Sequence, residues 1–395
     1  MKILFWVSDF PKLSETFIRD QIISLIDKGH KIYIFSEGGI SNEKDALKGF
    51  EKYKLIDNVI NYNILKPKYL HQKFLFFLNL ILNKNRKIYF NILKNIIKNK
   101  SLNFKSRYFY LAHFIISNDI KNIHTHFGTN AIKNIWIKKT QIPVKHIVTF
   151  HGFDIRLGLN HQPDYYKDVF EYTDKVIAIS NYNHKSLVDL GAPENKIVFL
   201  PNAVNTEFFK RTKPYRIHQP IRLLSVGRLV DEKAYGLLIK SIAELKNKKN
   251  IDNFILTIIG EGNKGLYLEK LIKQNDLEKF VKLVGSKPSI DVRNYMIESD
   301  AYILSSIAEA FPTVLLEAQS CGLPVVATDV GSVKDMVKEA IIVKPNDIKA
   351  LVEGIEKLFS RKNQWQNMSE TGRKNIEEKY SYKNIIHQLE KIYIQ

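Results

Sequence analysis

The sequence contains one cysteine, Cys321, in 395 residues. A single thiol excludes an internal disulfide and a cysteine-rich metal site. Long apolar segments are also missing. The longest apolar run, residues 74–82, is interrupted by Asn79 and falls far short of the roughly 20 residues that a membrane-spanning helix needs. The first residues turn acidic at Asp9, too early for a signal peptide. We therefore expect a soluble, cytoplasmic protein.

Carboxylate pairs of the type that hold nucleotide-bound divalent cations are missing as well. No Asp-x-Asp sequence occurs anywhere in the chain, and such a pair is the usual oxygen ligand set for a cation of this kind. His124 and His126 would share one face of a strand, but no third zinc ligand is evident beside them. We therefore expect no metal site.

Positive charge, in contrast, is abundant and unevenly placed. The formal net charge is +19, and residues 51–150 hold 18 Lys and Arg against 3 Asp and Glu, a difference of +15. Basic residues interleaved with apolar ones fit a surface that meets anionic lipid or a polyanion. They equally describe ordinary solvated helix faces in a lysine-rich composition. No recognition-helix or stacking-sheet motif accompanies the basic run, so a nucleic acid partner is not expected.

Strand-like apolar runs alternate with helix-like periods in both halves of the chain, which is typical of parallel sheets. The predicted strands are residues 3–7, 31–35, 123–126, 146–150 and 175–179, with Ser14 as the cap of the first helix, and then 222–226, 254–259, 281–284, 301–304 and 325–327. Residues 206–220 are charged, contain two prolines and have no apolar period, which indicates a linker. We predict an α/β protein with two doubly wound parallel sheets that face each other across a cleft.

The segment 309–317 is the strongest indication of a ligand site in the sequence. Glu309 follows a predicted strand, Pro312 suits the first turn of a helix, and Glu317 lies a little over one turn inside that helix. Backbone N–H groups of a first turn favour an anion or an oxygen-rich ligand. Carboxylates accept hydrogen bonds from vicinal sugar hydroxyls. Either glutamate alone would only complement the helix dipole, whereas the two together favour a ligand site.

Two cations follow the first strand of the second half. Arg228 and Lys233 lie in the loop that usually holds phosphate in a doubly wound domain. A guanidinium fork and a lysine point charge together suit a diphosphate leaving group. Away from a strand end the same pair would be an ordinary pair of surface cations. Segment 260–265 matches Gly-x-Gly-x-x-Gly, but it follows the second strand, so tight-turn packing is favoured over phosphate binding.

His151 ends the predicted strand 146–150 and precedes Gly152, which permits a close approach of other groups to the backbone. A histidine at the carboxyl end of such a strand is placed to meet the cleft. It could there bond a hydroxyl or shuttle a proton. A lone histidine is more often structural, so this interpretation depends on its placement.

Taken together, these residues resemble glycosyltransferase family 4, a group of retaining enzymes that use nucleotide sugars and have the GT-B fold. The run 309–328 resembles that family's signature, and residues 226–229 with Lys233 resemble its phosphate clamp. Residues 10–17, 124–128 and 151–154 resemble the branch that builds bacterial exopolysaccharide, capsule and lipopolysaccharide. The chain departs from the family pattern at Ala203 and Asn205, and at Ala234, which stands where a glycine usually follows the clamp lysine.

The resemblance implies a role for each matching residue. Arg228 and Lys233 would hold the donor diphosphate, and Glu317 would bind the ribose hydroxyls. Glu309 and the amides after it would bind the donor sugar, which His151 would contact from the opposite domain. The implied catalytic residues are Glu309, His151, Lys233 and Arg228, and the implied substrate-binding residues are Glu317, Ala310, Phe311, Thr313, Val314, Gly152 and Asp154.

The resemblance also implies an organisation and an activity. The expected domains are a Rossmann-like acceptor domain (1–205), a linker (206–220), a Rossmann-like donor domain (221–375) and a C-terminal helix (376–395) that could cross back to the first domain. The expected reaction is a retaining, metal-independent transfer from a nucleotide-diphosphate sugar, with no further cofactor, to a glycan or lipid-linked acceptor. We expect it at the inner face of the plasma membrane, where residues 51–150 would meet anionic lipid. The alternative is a non-catalytic two-domain protein that binds an acidic glycan or an anionic membrane surface.

Overall fold

The computed structural model describes residues 1–69, 86–98, 107–161, 164–212 and 214–395. Within these ranges the strands are β1 (Lys2–Val7), β2 (Lys31–Ser36), β3 (Val59–Ile60), β4 (Asn122–His126), β5 (Lys145–Phe150), β6 (Lys175–Ala178), β7 (Ile197–Phe199), β8 (Ile221–Val226), β9 (Phe254–Ile259), β10 (Val281–Leu283), β11 (Ala301–Leu304), β12 (Val325–Thr328) and β13 (Ile341–Val343). The apolar run 74–82 and residues 99–106 of the basic window lie outside the described residues.

Helices connect and cover these strands. In chain order they are α1 (Thr16–Asp27), α2 (Tyr62–Leu65), α3 (Arg86–Lys98), α4 (Arg107–Ser117), α5 (Gly128–Asn134), α6 (Trp136–Lys139), α7 (Phe153–Leu159), α8 (Lys167–Tyr172), α9 (Asn181–Asp189), α10 (Tyr235–Lys249), α11 (Gly265–Gln274), α12 (Ser289–Glu298), α13 (Thr313–Ser320), α14 (Val333–Met336), α15 (Ile348–Ser360), α16 (Trp365–Lys379) and α17 (Tyr382–Ile394). None of the helices in the described ranges combines the length and the apolar character that crossing a bilayer requires.

The strands form two wholly parallel sheets. The first has seven strands in the order β3-β2-β1-β4-β5-β6-β7, and the second has six in the order β10-β9-β8-β11-β12-β13. Parallel neighbours need crossover connections, and the helices therefore lie on both faces of each sheet. Strand order reverses between β1 and β4 and again between β8 and β11. The loops that leave these strands therefore border a crevice at each carboxyl edge. The predicted pair of doubly wound sheets is confirmed.

The apolar side chains of the central strands are buried on both faces, as a covered parallel sheet requires. Ile3, Leu4, Phe5 and Trp6 of β1 are all fully buried. One apolar cluster continues from Phe5 of the first sheet to Leu315 of α13 in the second half. The two halves therefore share part of their core.

The chain crosses between the halves twice. Before the second sheet begins, Arg211 donates from Nη1 to the carbonyl of Ile297 at 2.5 Å. This bond attaches the connecting segment, residues 206–220, to α12. After α16, Val204 donates its amide to the carbonyl of Tyr380 at 2.9 Å, and Tyr382 donates back to the carbonyl of Val204 at 3.2 Å. Helix α17 then packs on α1, where the Tyr382 hydroxyl donates to the carbonyl of Phe17 at 3.1 Å. The domain boundaries given above stay a prediction.

Local expectations differ from the structure in two respects. The prediction that Ser14 caps the first helix is wrong, because residues Leu13–Glu15 form a 3-10 turn and α1 begins only at Thr16. The edge strands β3, β7 and β13 were not predicted from the sequence. Each has two or three residues, too few for an apolar alternation to stand out from its surroundings.

Asp300 provides a test of how the connecting segment is anchored. Its fully buried carboxylate accepts hydrogen bonds from the amide of Arg222 at 2.7 Å and from the amide and Nδ1 of His218 at 3.1 and 2.7 Å. Asp300→Ala leaves these partly buried donors without their acceptor, so we expect a loss of about 1–3 kcal/mol in the free energy of unfolding. Urea unfolding measures this loss. Asp252→Ala, at an exposed position before β9, is the matched control, and equal stability of the two variants would contradict the anchoring role.

Candidate active site

Loops from the two sheets touch at the mouth of the crevice. Gly152, which follows β5, has φ +149° and lies so close to Ala310 that a Cβ on Gly152 would sit 2.5 Å from the Ala310 Cβ. A glycine is required here both by the backbone conformation and by this approach. The residues after β5 and after β11, which belong to separate candidate motifs of the sequence, are therefore brought together.

Lys233 and Glu309 form an ion pair at the carboxyl edge of the second sheet. Their Nζ and Oε1 atoms lie 2.5 Å apart, and both side chains are largely buried. The Ser306 hydroxyl donates to the same Oε1 at 2.7 Å, and the Ser305 hydroxyl donates to the carbonyl of Lys233 at 2.9 Å. These bonds tie the loop after β8 to the loop after β11. Arg228 lies exposed in the first of these loops, so the structure brings both cations to one edge.

Ala234 follows Lys233 in the left-handed region, with φ +50° and ψ +37°. This conformation turns the chain from the 3-10 turn Asp231–Lys233 into α10. A glycine adopts it without the steric cost that a Cβ adds. The alanine therefore keeps the geometry of the turn at a small cost in stability.

Helix α13 points its N-terminus toward this edge. Pro312 immediately precedes the helix, and no side chain caps its first turn. The first amides of a helix have no acceptor within the helix, so they favour a ligand oxygen. Thr313 and Val314 are half-buried there, and Ala310 and Phe311 are buried beside them. Pro312 was expected inside the first turn and lies one position earlier.

Glu317 occupies a different environment from Glu309. Its side chain is 9% exposed, and burial raises the pKa of its carboxyl to about 8, with a further increase from Asp20 and an opposing decrease from Arg19. Both of these neighbours belong to α1 of the first half. The second glutamate of the motif therefore faces the opposite half of the molecule.

Arg19 lies beside the candidate site, and no motif of the sequence predicts its position there. Its Nε bonds Asp20 Oδ1 at 2.5 Å, its Nη1 donates to the carbonyl of Ala46 at 2.7 Å, and its Nη2 donates to the Ser289 hydroxyl at 3.2 Å. Ser289 begins α12, so this buried guanidinium connects the two halves. The only sequence signal was an Arg-Asp pair inside the apolar period of α1, which an exposed helix face would also contain.

Asp154 shapes the loop around His151. Its Oδ1 accepts from the amides of His151, Gly152 and Ile155 at 2.9, 2.9 and 3.1 Å, and its Oδ2 accepts from the amide of Gly128 at 2.8 Å. The side chain is fully buried, and this burial raises the pKa of Asp154 to about 6 against the lowering effect of the amides. The Asp154 carboxylate therefore bonds four backbone amides, and its expected contact with substrate stays a prediction.

The histidines of the first sheet lie side by side in its interior. The His126 ring stacks on the His124 ring with centroids 4.5 Å apart, and His126 Nδ1 lies 3.0 Å from His151 Nε2. Burial lowers the pKa of all three imidazoles, that of His151 to about 3. Across the described part of the chain, no group of three or more His, Cys, Asp or Glu side chains could hold a metal ion.

The glycines of segment 260–265 pack against the loop after β8. A Cβ on Gly260 would lie 1.9 Å from the carbonyl oxygen of Gly227, and a Cβ on Gly262 would lie 2.4 Å from that of Leu229. The Leu229 amide also donates to the carbonyl of Glu261 at 2.8 Å. Close backbone packing explains why glycines occur at these two positions.

Both halves of the chain match known domain families. Residues 14–208 match the model described as Glycosyltransferase Family 4, and residues 207–375 match the model described as Glycosyl transferases group 1. Among curated proteins, the chain is 29% identical to the amylovoran biosynthesis glycosyltransferase AmsK of Erwinia amylovora, over 86% of each chain. It is also 29% identical to the putative colanic acid biosynthesis glycosyltransferase WcaL of Salmonella typhimurium, over 91% of each chain.

Solved structures share the fold at lower identity. A glycosyltransferase from Rickettsia africae superposes with a TM-score of 0.72 at 20% identity, covering 99% of this chain and 97% of its own. Anabaena HepE in complex with UDP and glucose gives a TM-score of 0.72 at 15% identity, covering 99% of each chain. These similarities establish the two-sheet architecture.

The raised pKa of Glu317 predicts a specific dependence of stability on pH. A carboxyl whose pKa is about 8 in the folded protein, against an ordinary 4.5, binds its proton more tightly in the folded state. Its contribution to stability is therefore lost as pH rises between these two values. We expect the melting temperature of Glu317→Gln, which mimics the neutral acid, to fall less than that of the wild type between pH 5 and about 8. Exposed Glu353→Gln is the control, and parallel profiles of wild type and Glu317→Gln would refute the assignment.

Proposed function

The chain belongs to the glycosyltransferases, since its two halves match the family 4 and group 1 domains, and from this premise we propose its reaction. The reaction transfers a sugar from a nucleotide-diphosphate sugar to a glycan or lipid-linked acceptor in the biosynthesis of a surface polysaccharide. The relatives named for amylovoran and colanic acid biosynthesis support this assignment of pathway type. The observation that carries it is the Lys233–Glu309 pair at the carboxyl edge of the second sheet, beside the uncapped start of α13.

Donor binding follows from the groups at this edge. Arg228 and Lys233 bind the diphosphate, and Glu309 with the first amides of α13 binds hydroxyls of the sugar. An ammonium group has three N–H donors, so Lys233 can keep its bond to Glu309 and still donate to a phosphate oxygen. Glu317 binds the ribose hydroxyls. Its buried position close to Arg19 and Asp20 supports a site for the nucleoside between the two halves.

The proposed mechanism is a front-face transfer that retains the configuration at the anomeric carbon. The bond from the anomeric carbon to the diphosphate oxygen breaks, and the acceptor hydroxyl forms the new bond on the same face. The departing phosphate oxygen takes the acceptor proton. Arg228 and Lys233 stabilise the negative charge that develops on the diphosphate. The reaction needs no metal and no cofactor besides the donor, because these two fixed cations supply the positive charge.

His151 contacts the donor sugar from the first half. The contact between Gly152 and Ala310 supports this, since it brings the His151 loop against the residues that follow Glu309. Closure of the two halves around the donor would exclude water and limit its hydrolysis.

The acceptor side of the enzyme meets an anionic membrane surface. Helix α3 supports this part of the proposal, because it buries Tyr89 and Ile92 while Phe90 remains 67% exposed. Arg86, Lys87 and Lys94 are exposed on the same helix. Exposed cations around an exposed aromatic ring favour the interface of an anionic lipid layer.

Removal of either member of the central ion pair tests the donor site. We expect Lys233→Ala and Glu309→Ala each to lower transfer at least about tenfold, which corresponds to about 1.4 kcal/mol in the barrier. Mass spectrometry of reactions with a panel of nucleotide sugars and lipid-linked acceptors measures product. Lys264→Ala is the matched control, since Lys264 pairs with Asp231 at 2.8 Å at a more exposed position.

Further measurements on the same reaction test the front-face mechanism, its independence of metal and the alternative of a non-catalytic binding protein. NMR of the product gives the anomeric configuration, and inversion would refute the front-face mechanism. Loss of transfer in EDTA would refute metal independence. Nucleotide binding without any product across the panel would favour the non-catalytic binding protein. Near-normal turnover in both Lys233→Ala and Glu309→Ala would refute the site.

Charge reversal on α3 tests the membrane proposal. We expect Lys87→Glu combined with Lys94→Glu to weaken binding to vesicles of phosphatidylglycerol and phosphatidylcholine by about tenfold or more at low salt. Cosedimentation measures the bound fraction. The control is Lys349→Glu combined with Lys374→Glu, which changes net charge equally at exposed positions of the second half. If the wild-type protein does not bind these vesicles, the membrane proposal is refuted. The excess of Lys and Arg in residues 51–150 would then reflect only the overall composition of the chain.

A further inference from the structure

A line of two hydrogen bonds, partly buried at Gln21 and buried at His126 and His151, connects α1 to the His151 loop. Gln21 Oε1 lies 3.1 Å from His126 Nε2, and His126 Nδ1 lies 3.0 Å from His151 Nε2. His126 and His151 are 2% and 8% exposed. The remaining ring nitrogen, His151 Nδ1, is buried without a hydrogen-bond partner among the described residues. An unpartnered buried nitrogen in a cleft loop points to a ligand that supplies the missing bond.

The chemistry of the groups fixes the direction of every bond in this line. An amide oxygen only accepts, so His126 Nε2 must carry the proton. His126 is neutral, since burial holds its pKa well below the ordinary value, and its Nδ1 therefore has a lone pair. That lone pair accepts from His151 Nε2–H. His151 is neutral for the same reason, and its proton is already on Nε2, so its Nδ1 has a lone pair and no hydrogen.

We propose that Gln21 and His126 are positioning residues that hold His151 in the Nε2–H tautomer, so that Nδ1 accepts a hydrogen bond from a hydroxyl of the donor sugar. The ligand class follows from the tautomer. A lone pair on a neutral ring requires a group that donates, as a hydroxyl does, and disfavours a carboxylate or phosphate oxygen at the same place. This inference rests on the proposed function for the identity of the ligand, but not for the tautomer itself.

His124, which stacks on His126, differs from His151 in its hydrogen bonds. His124 has both ring nitrogens partnered, Nδ1 with the Tyr393 hydroxyl at 2.7 Å and Nε2 with the Thr149 hydroxyl at 2.8 Å. Hydroxyls donate or accept with equal ease, so they select neither tautomer. Gln21 presents an oxygen that can only accept, so it selects the Nε2–H tautomer of His126. The lone pair on His126 Nδ1 then selects the Nε2–H tautomer of His151.

The tautomers can be measured directly on the full-length protein. Two-bond ¹⁵N–¹H correlation spectra of ¹⁵N-histidine-labelled protein distinguish protonated from unprotonated ring nitrogens. Signals of His126 and His151 are assigned by their loss in His126→Gln and His151→Gln. We expect both residues in the Nε2–H form at pH 7 without any ligand. Observation of the Nδ1–H form for His151 in the wild type would overturn the inference.

Variants of Gln21 test whether its side-chain oxygen determines the tautomers of His126 and His151. Gln21→Leu removes the acceptor, so we expect mixed tautomers at both histidines and a fall in kcat/KM of about three- to tenfold, the range of one neutral hydrogen bond. Gln21→Glu supplies a carboxylate, which only accepts while it is ionised, and in that form it should restore the Nε2–H pattern and most of the kcat/KM. Tyr393→Phe, which alters only the partner of His124, is the control and should leave the His151 signals in place. Unchanged spectra in Gln21→Leu would overturn the inference.

The two proposals fail in different ways. If the spectra show the expected tautomer but no donor gives product, the proposed transfer fails and the positioning by Gln21 and His126 stands. If transfer is observed and Gln21→Leu leaves both the tautomer and kcat/KM unaltered, the reaction stands and the positioning role is refuted. Thermal melting of each variant establishes that it is folded before its spectrum is interpreted.

Discussion

Parallel pairing of every strand is the constraint on which the candidate site depends. It sends all strands of a sheet toward one edge, so the loops after β1, β4 and β5 meet on the first sheet, and those after β8 and β11 meet on the second. Polar groups concentrate at these edges because the strands themselves are buried on both faces. The Lys233–Glu309 pair then joins two loops of the second sheet, and its members are 76 positions apart in the chain. Sheet topology, and not local sequence, creates their proximity.

Buried carboxylates organise polar groups at several places in the fold. Asp154 gathers the amides around His151, Asp300 gathers those before β8, and Asp20 partners Arg19 between the halves. Loops have few backbone partners of their own, so a carboxylate with two acceptor oxygens can organise several N–H groups at once. Each of these residues costs desolvation, and the hydrogen bonds it accepts offset that cost. The loop that carries His151 therefore owes its shape to the Asp154 carboxylate.

The sequence was sufficient for the two sheets and for the second-half edge, because apolar runs and their order along the chain are local properties. Glu309, Arg228 and Lys233 were found from their places after predicted strands. Arg19 was missed, since its bond to Ser289 joins residues 270 positions apart and no local pattern encodes such a contact. Asp154 was assigned to substrate because it follows His151 and Gly152 in a familiar motif. The four amide bonds of its carboxylate are a further role, which no local pattern predicts.

The return of the last helix to the first half has a consequence for how the chain matures. His124, in the middle of the first sheet, has its Nδ1 partner in Tyr393, and Lys145 donates to the carbonyl of Ile392. The ribosome finishes the first sheet long before these partners are made. Until residues 382–393 have been synthesised, the first half therefore lacks part of its interior and the cover of one face of α1.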